Sequence, residues 1–279
     1  MVYIPVDIEK AIIRECSRRR LSKRTAKTYL YCINRFLLFV KKDLGHISKR
    51  DVRLFLEYLS DKNLSGSTLN VYHMAIRFLF IDILDKRMWI DIKYSKITKK
   101  LPIVLTKDEV KKLFNSIDNP KHKLMVELMY SSGLRVSELL GLRVCNLEIE
   151  KGYGFVRKGK GNKDRLFILS QKIVDKIIDL IDFEKLSYEN YLFNSNRNSK
   201  YNVRSLQNII KCTCREADIK KRVSCHTLRH SFATHLIEKG YDVSQVQSLL
   251  GHKSPETTMI YVHISSPNMI NVKSPFDDL

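Results

Sequence analysis

Long apolar runs are missing from this 279-residue chain. No stretch reaches the roughly 18 residues that a membrane-crossing helix needs. The first residues, MVYIPVDIEKAIIRECSRRR, lack the charged-then-apolar order of a secretory signal. These absences set the expectation of a protein of the cytoplasm, associated with the nucleoid. Cysteine is sparse: Cys16, Cys32, Cys145, Cys212, Cys214 and Cys225. Only Cys212 and Cys214 are close, and a C-x-C pair in a helical pattern points its thiols to different sides. No second pair completes a zinc site, so reduced structural thiols and no bound metal are expected. Internal repeats and low-complexity tracts are absent as well, which leaves ordinary globular domains.

Acidic residues are the scarcer charge. Lys and Arg total 50 against 30 Asp and Glu, a net charge of +20. Residues 1–100 hold 22 Lys and Arg against 10 Asp and Glu, net +12, and the rest of the chain carries the other +8. Both parts are basic and the first is denser. A polyanion is the simplest partner, because each Lys or Arg set against a phosphate releases a counterion. Nucleic acid is the expected ligand and no membrane is expected.

Residues 1–90 read as a small all-helical bundle. TAKTYLYCINRFLLFVKKDLG places Tyr29, Ile33, Phe36, Leu37 and Val40 at helical spacing and stops at Gly45. SKRDVRLFLEYLSDKN starts on Ser48 as a candidate N-cap, with Val52, Phe55, Leu56 and Leu59 on one face. A third helix sets Leu69, Met74, Ile76, Phe78, Leu79 and Ile83 inward. Basic residues, among them Lys23, Arg24, Lys27, Lys49, Arg53 and Arg77, take the opposite faces. The polar, lysine-rich stretch 91–106, punctuated by Pro102, reads as a linker. From 107 to 279 a second domain follows. It opens on Thr106 as N-cap with Asp108 and Glu109 in the first turn. Its helices are broken at 147–169 by short β-prone runs with glycine turns, a small antiparallel sheet. The expected fold is mainly α: a four-helix-type bundle, then an α+β domain with three strands.

Five places in the second domain hold residues suited to phosphate. Arg135 lies in SSGLRVSELLGL. RKGKGNKDRL is a turn carrying Lys158, Lys160 and Lys163. His226 and Arg229 sit within one helical turn in CHTLRH. His252 follows the helix-ending Gly251, and Tyr261 comes nine residues after His252. Two arginines can clamp the oxygens of one phosphodiester through their planar forks. They can stabilise a pentacoordinate transition state, so no metal is required. A tyrosine can attack phosphorus and hold it covalently. A histidine can assist the nucleophile's proton, and a lysine can protonate the leaving 5′ oxygen. Taken singly, each of these residues has an ordinary structural explanation; their ordered set does not.

That ordered set, GLRVSEL, GKGNKDR, HTLRHSFATHL, LLGH and TTMIYVHI, resembles the tyrosine recombinase (phage integrase) family, and the likeness spans the whole chain. The resemblance implies a core-binding bundle at 1–90 and a catalytic domain at 107–279. It implies site-specific cutting and rejoining of DNA through a 3′-phosphotyrosine, without metal, ATP or other cofactor. Arg135 and Arg229 would hold the scissile phosphate and Tyr261 would be the nucleophile. His226 and His252 would transfer protons and bind phosphate. Lys160 would be the general acid, with Lys158 and Lys163 as close competitors. Glu138 would support the site, while His230 and His235 would be structural. Lys23, Arg24, Lys27 and Arg77 would grip the duplex, together with Lys158 and Lys163.

The compact body looks like the Xer branch, which resolves chromosome dimers. The ending VKSPFDDL looks like those of mobile-element integrases, so both roles stay open. In the family, the segment after the nucleophile, here 264–279, often docks on a neighbouring protomer, which implies a tetrameric synapse. A second recombinase or an accessory protein could take part. Two other readings remain: a topoisomerase-like enzyme of type IB that relaxes DNA, and a non-catalytic architectural DNA-binding protein.

Overall fold

A computed structural model describes residues 6–86, 92–96, 101–157, 164–195, 200–252 and 254–265. The chain divides into two compact units, Met1–Lys100 and Leu101–Leu279.

The first unit is a helical bundle: α1 (Val6–Arg18), α2 (Lys23–Val40), α3 (Lys49–Asp61) and α4 (Gly66–Arg77), the last running into a π-helical turn at Phe78–Ile83. Ser22, Ser48 and Ser65 cap α2, α3 and α4, each accepting a backbone N–H two or three residues into its helix. Ser48 forms a full capping box with Asp51. The core joins Ile12, Ile33, Phe36, Phe55, Leu59, Ile76, Leu79 and Phe80, all essentially without solvent contact. Lys23, Arg24, Lys27, Lys49, Arg53 and Arg77 are all exposed.

Two details differ from the sequence reading. Met74 is 47% exposed, whereas Leu69, Tyr72, His73, Ala75 and Ile76 are buried. At about 100° per residue, position 74 falls opposite the face that 69, 72 and 76 share. Helix α2 stops at Val40 rather than near Gly45, because Lys41 takes a left-handed conformation, φ 51°, and donates its N–H to Leu37 O. The stretch read as a linker is held at both described ends. The Asn70 side chain donates to Ser95 O and accepts from Ser95 N. Leu105 is fully buried in the second unit and donates its N–H to Ser231 Oγ.

The second unit runs α5 (Lys107–Asn115), α6 (Pro120–Ser132), α7 (Val136–Leu139), β1 (Leu147–Glu148), β2 (Tyr153–Val156), β3 (Arg165–Ile168), α8 (Gln171–Glu184), α9 (Val203–Glu216), α10 (Cys225–Glu238), α11 (Val243–Leu250) and α12 (Glu256–Ser265). The strands form one antiparallel sheet in the order β1-β2-β3, with Gly154 opposite Phe167. Thr106 and Glu109 make the capping box of α5. Helix α10 is buried on most of its surface and packs against α6, α11 and α12. It therefore acts as the post on which the other parts of the site are hung. Among the described residues no helix is long and apolar enough to cross a membrane.

Candidate active site

Arg135 enters the site because α6 ends on Gly133 in a left-handed conformation, φ 58°. A β-carbon there would stand 2.5 Å from the Phe232 ring, so only glycine fits. Arg135 then serves as N-cap of α7, and Glu138 in the first turn folds back on it. Glu138 accepts from the Arg135 backbone N–H at 2.9 Å and from Arg135 Nη1 at 2.6 Å. The Glu138 side chain is only 5% exposed, and Arg135 keeps 21% of its own side chain open to solvent.

Arg229 lies on α10 and is almost completely buried. Its Nη1 donates to Gly133 O and its Nη2 to Leu250 O, both carbonyls at helix ends. Arg229 thus ties the α6–α7 corner to the end of α11 and stands 3.8 Å from Glu138. A third arginine completes the group. Arg165, the first residue of β3, donates from Nη2 to Glu138 Oε2 at 2.7 Å and from Nη1 to Leu249 O. Its Nε is buried without a hydrogen-bond partner. Three guanidiniums therefore surround one carboxylate. Burial raises the pKa of Glu138, but the Arg165 charge and the hydrogen bonds from Arg135 and Arg165 outweigh it and leave the group lowered. Glu138 stays ionised and the cluster keeps a net positive charge for an incoming phosphate. For Arg229, burial first, then Arg135 and Arg165, push the pKa down to about 9. Arg229 is still a cation at neutral pH.

Tyr261 on α12 is 2% exposed and packs with Phe232, Ala233, Val246 and Leu250. Burial raises its pKa, opposed by the charges of Arg229 and Arg135. The His252 ring lies nearly parallel to that of Tyr261, centroids 6.2 Å apart and planes 21° apart. His252 Nδ1 shares a hydrogen bond of 2.9 Å with Thr258 Oγ1. Gly251, φ 63°, makes the turn that delivers His252. His226 is exposed at the start of α10. Partial desolvation, then Arg229 and Arg135, lower its pKa. The same causes, joined by His230 and Arg165, bring His252 to about 4. Both rings are thus neutral at neutral pH.

Arg135, Glu138, His226, Arg229, His252 and Tyr261 therefore converge from α7, α10, the end of α11 and α12. Lys158, Lys160 and Lys163 lie outside the described residues. The flanking Arg157 and Asp164 are 2.9 Å apart. Two contacts at the site, those of Arg165 and His230, were not foreseen from the sequence. Arg165 follows the lysine turn by two residues, yet nothing in RKGKGNKDRL sets it apart from its neighbours. His230, read as structural, shares a hydrogen bond of 3.0 Å between Nδ1 and the Tyr261 hydroxyl. Its place one turn after His226 was the available signal, but the tyrosine it meets comes from a different helix. His235 does have a packing role, buried with Nδ1 2.8 Å from Tyr130 Oη. Among the described residues no group of three His, Cys, Asp or Glu could hold a metal ion.

Known proteins resemble this chain along most of its length. Residues 103–267 match the phage integrase family and residues 9–91 match its N-terminal SAM-like domain. A tyrosine recombinase of Thermosipho africanus is 36% identical over 88% of this chain and 91% of its own length. Tyrosine recombinase XerA of Pyrococcus furiosus is 36% identical over 89% of this chain and 86% of its own. Among solved structures, XerH site-specific recombinase bound to a palindromic difH substrate superposes with a TM-score of 0.74 at 25% identity, covering 90% of this chain and 79% of that one. A bundle with a SAM-like match, an arginine-rich site closed by a buried tyrosine and relatives of this kind along nearly the whole length lead to one assignment: the chain belongs to the phage integrase family and is a tyrosine-type site-specific DNA recombinase.

Proposed function

We propose that this recombinase cuts one strand by attack of Tyr261 on a phosphodiester, giving a 3′-phosphotyrosine and a free 5′ hydroxyl, and rejoins it by the reverse step. The observation that carries the reading is the convergence of Arg135, Arg229, His226 and His252 on the neighbourhood of the buried Tyr261 hydroxyl. Arg135 and Arg229 clamp the non-bridging oxygens and stabilise the charge that develops on them. Glu138 holds Arg135 in place. His226 and His252, both neutral, donate hydrogen bonds to the phosphate. Lys160 protonates the leaving 5′ oxygen, with Lys158 and Lys163 as competitors. The exposed Lys23, Arg24, Lys27 and Arg77 bind the duplex backbone. The bundle at 1–90 is the core-binding domain and 107–279 the catalytic domain, the two joined through 91–106.

The protein works as a tetramer on two DNA sites, in the cytoplasm on the nucleoid, with room for a second recombinase or an accessory protein. A Xer-like role, resolving chromosome dimers, has the better support. Relatives named XerA and XerD match along most of the chain, and XerH has been solved on difH. Integration or excision of a mobile element is the second form of the same chemistry.

The test is covalent trapping. The protein is incubated with fragmented DNA of its own host, denatured, and the attached DNA is sequenced. A single recovered site at one chromosomal locus is expected, with adduct formation unaffected by EDTA and absent for Tyr261→Phe. Attachment to element ends would select the mobile-element role. Adduct formation by Tyr261→Phe, or a need for magnesium, would overturn the mechanism.

A further inference from the structure

The proton on the Tyr261 hydroxyl has to leave as its oxygen bonds to phosphorus. A buried phenol resists losing it, because the phenolate is poorly solvated. The group that takes the proton must lie within hydrogen-bond reach of Oη, roughly 2.6–3.2 Å. His230 Nδ1 meets this condition at 3.0 Å. The two histidines of the expected set are placed for other work. His252 turns its ring face along the tyrosine ring and has its Nδ1 engaged by Thr258. His226 is exposed and its charged neighbours are Arg229 and Arg135, the phosphate-holding pair.

His230 is also kept in a form able to accept. It is only partly exposed, on the face of α10 that packs against α12. The His226 ring is 6.4 Å away on one side and Tyr261 5.6 Å away on the other. Burial, then His226 and Arg229, hold its pKa down to about 4. At rest it is therefore neutral, and in the tautomer with its hydrogen on Nε2 the Nδ1 accepts the hydrogen of the phenol. A phosphate seated on Arg135 and Arg229 changes the balance. Its negative charge, increased in the pentacoordinate state, raises the proton affinity of a nearby imidazole when it is needed.

We propose that His230 is the catalytic base of strand cleavage, taking the phenolic proton of Tyr261 through Nδ1 and returning it on rejoining. This rests on the reading of Tyr261 as nucleophile. In cleavage the Tyr261 Oη–P bond forms as the P–O5′ bond breaks. The phenolic proton passes to His230 Nδ1, and the 5′ oxygen leaves with a proton from the lysine turn. In rejoining the 5′ hydroxyl attacks the phosphotyrosine and gives its proton back to the lysine. The imidazolium of His230 reprotonates the departing tyrosine oxygen. The neutral ring carries its own hydrogen on Nε2.

The experiment uses the full chain and a duplex carrying the site recovered by trapping, made with an ordinary scissile phosphate or with sulfur in place of the bridging 5′ oxygen. Sulfur leaves without being protonated, so the second substrate needs no general acid. His230→Asn keeps an acceptor atom close to the place of Nδ1 but cannot hold a proton. We expect it to bind DNA as the parent does and to form the covalent adduct about 100-fold more slowly or worse on both substrates. His230→Ala should fall equally and regain part of the rate when imidazole is added. His226→Asn should show no recovery with imidazole. A rate for His230→Asn within about threefold of the parent, or restored by the sulfur substrate, would overturn the proposal. So would a loss that imidazole fails to recover in His230→Ala, since that would make His230 a positioning residue. Adduct formation by Tyr261→Phe would instead overturn the nucleophile assignment underneath it.

Discussion

Replacing Arg135 by lysine separates charge from shape. The guanidinium of Arg135 uses Nη1 on Glu138, and the side chain stays 21% exposed. Lysine keeps the charge but loses the planar pair of donors. Arg135→Lys should bind DNA near the parent level, because many other basic residues hold the backbone, and cleave roughly 100-fold more slowly or worse. Gel shift and single-turnover cleavage measure the two terms, and weak binding with a normal rate for the bound fraction would refute this. A glycine pair offers a second test at this scale. Gly251, φ 63°, has Arg165 Cδ 2.6 Å from the place of a β-carbon, whereas Gly240, φ 88°, has nothing within 4 Å. Both alanine variants bear the left-handed strain, on the order of 1–2 kcal/mol. Only Gly251→Ala also pushes Arg165 off Glu138, so it should lower the melting temperature further and lose cleavage, while Gly240→Ala keeps cleavage. The positions of Arg135, Glu138, Arg229, His252 and Tyr261 could be read from the chain, since each stands in a short motif. The contacts of Arg165 with Glu138 and of His230 with Tyr261 could not, because each partner lies far along the sequence.

At the scale of elements, local rules were the legible part. Ser48 and Thr106 announce α3 and α5 through capping, and a polar side chain at such a place has few other uses. The three-stranded sheet followed from short β-prone runs between glycine turns. What failed was the facing of one residue and one helix end: Met74 was assigned inward against the helical period, and Lys41 ends α2 by adopting a conformation that its type seldom takes. Helix α12 carries Tyr261 and is followed by SPNMINVKSPFDDL, whose Met269, Ile270, Val272 and Phe276 lie outside the described residues. Four apolar side chains in so short a segment cannot make a core of their own. On the proposal that the protein works as a tetramer, a neighbouring protomer on DNA would bury them, and a head-to-tail exchange of that kind can close into a ring. Truncation after Ser265 should therefore leave binding to a single site intact, abolish cooperative binding to paired sites and change the cleavage rate. Gel shifts on one-site and two-site duplexes check this, and recombination by the truncated protein at the parent rate would remove the tail from the mechanism.

At the scale of the whole molecule, the charge is divided in a way that suggests a division of labour. The first 100 residues hold +12 of the net +20. The candidate catalytic residues, by contrast, lie in the second unit, where Arg165 bonds Glu138 and Arg229 bonds helix-end carbonyls. Affinity for the duplex backbone should therefore come largely from the bundle, and reactivity from the second unit. The place to cut between them is also set by the structure. Leu105 is fully buried in the second unit and bonds Ser231, so a fragment beginning at Lys107 would lose a piece of its own core. A fragment of residues 101–279 keeps it and should fold with a cooperative melt. Each phosphate contact contributes about −0.9 to the slope of log K against log salt on duplex DNA. Loss of the contacts from Lys23, Arg24, Lys27 and Arg77 should thus make the slope of the fragment shallower by about 3 or more, alongside much weaker binding. Titrations at several salt concentrations, on the same duplex for both proteins, give the two slopes. Equal slope and equal affinity would mean that the basic face of the bundle does not touch the DNA backbone, and that its charge serves something else.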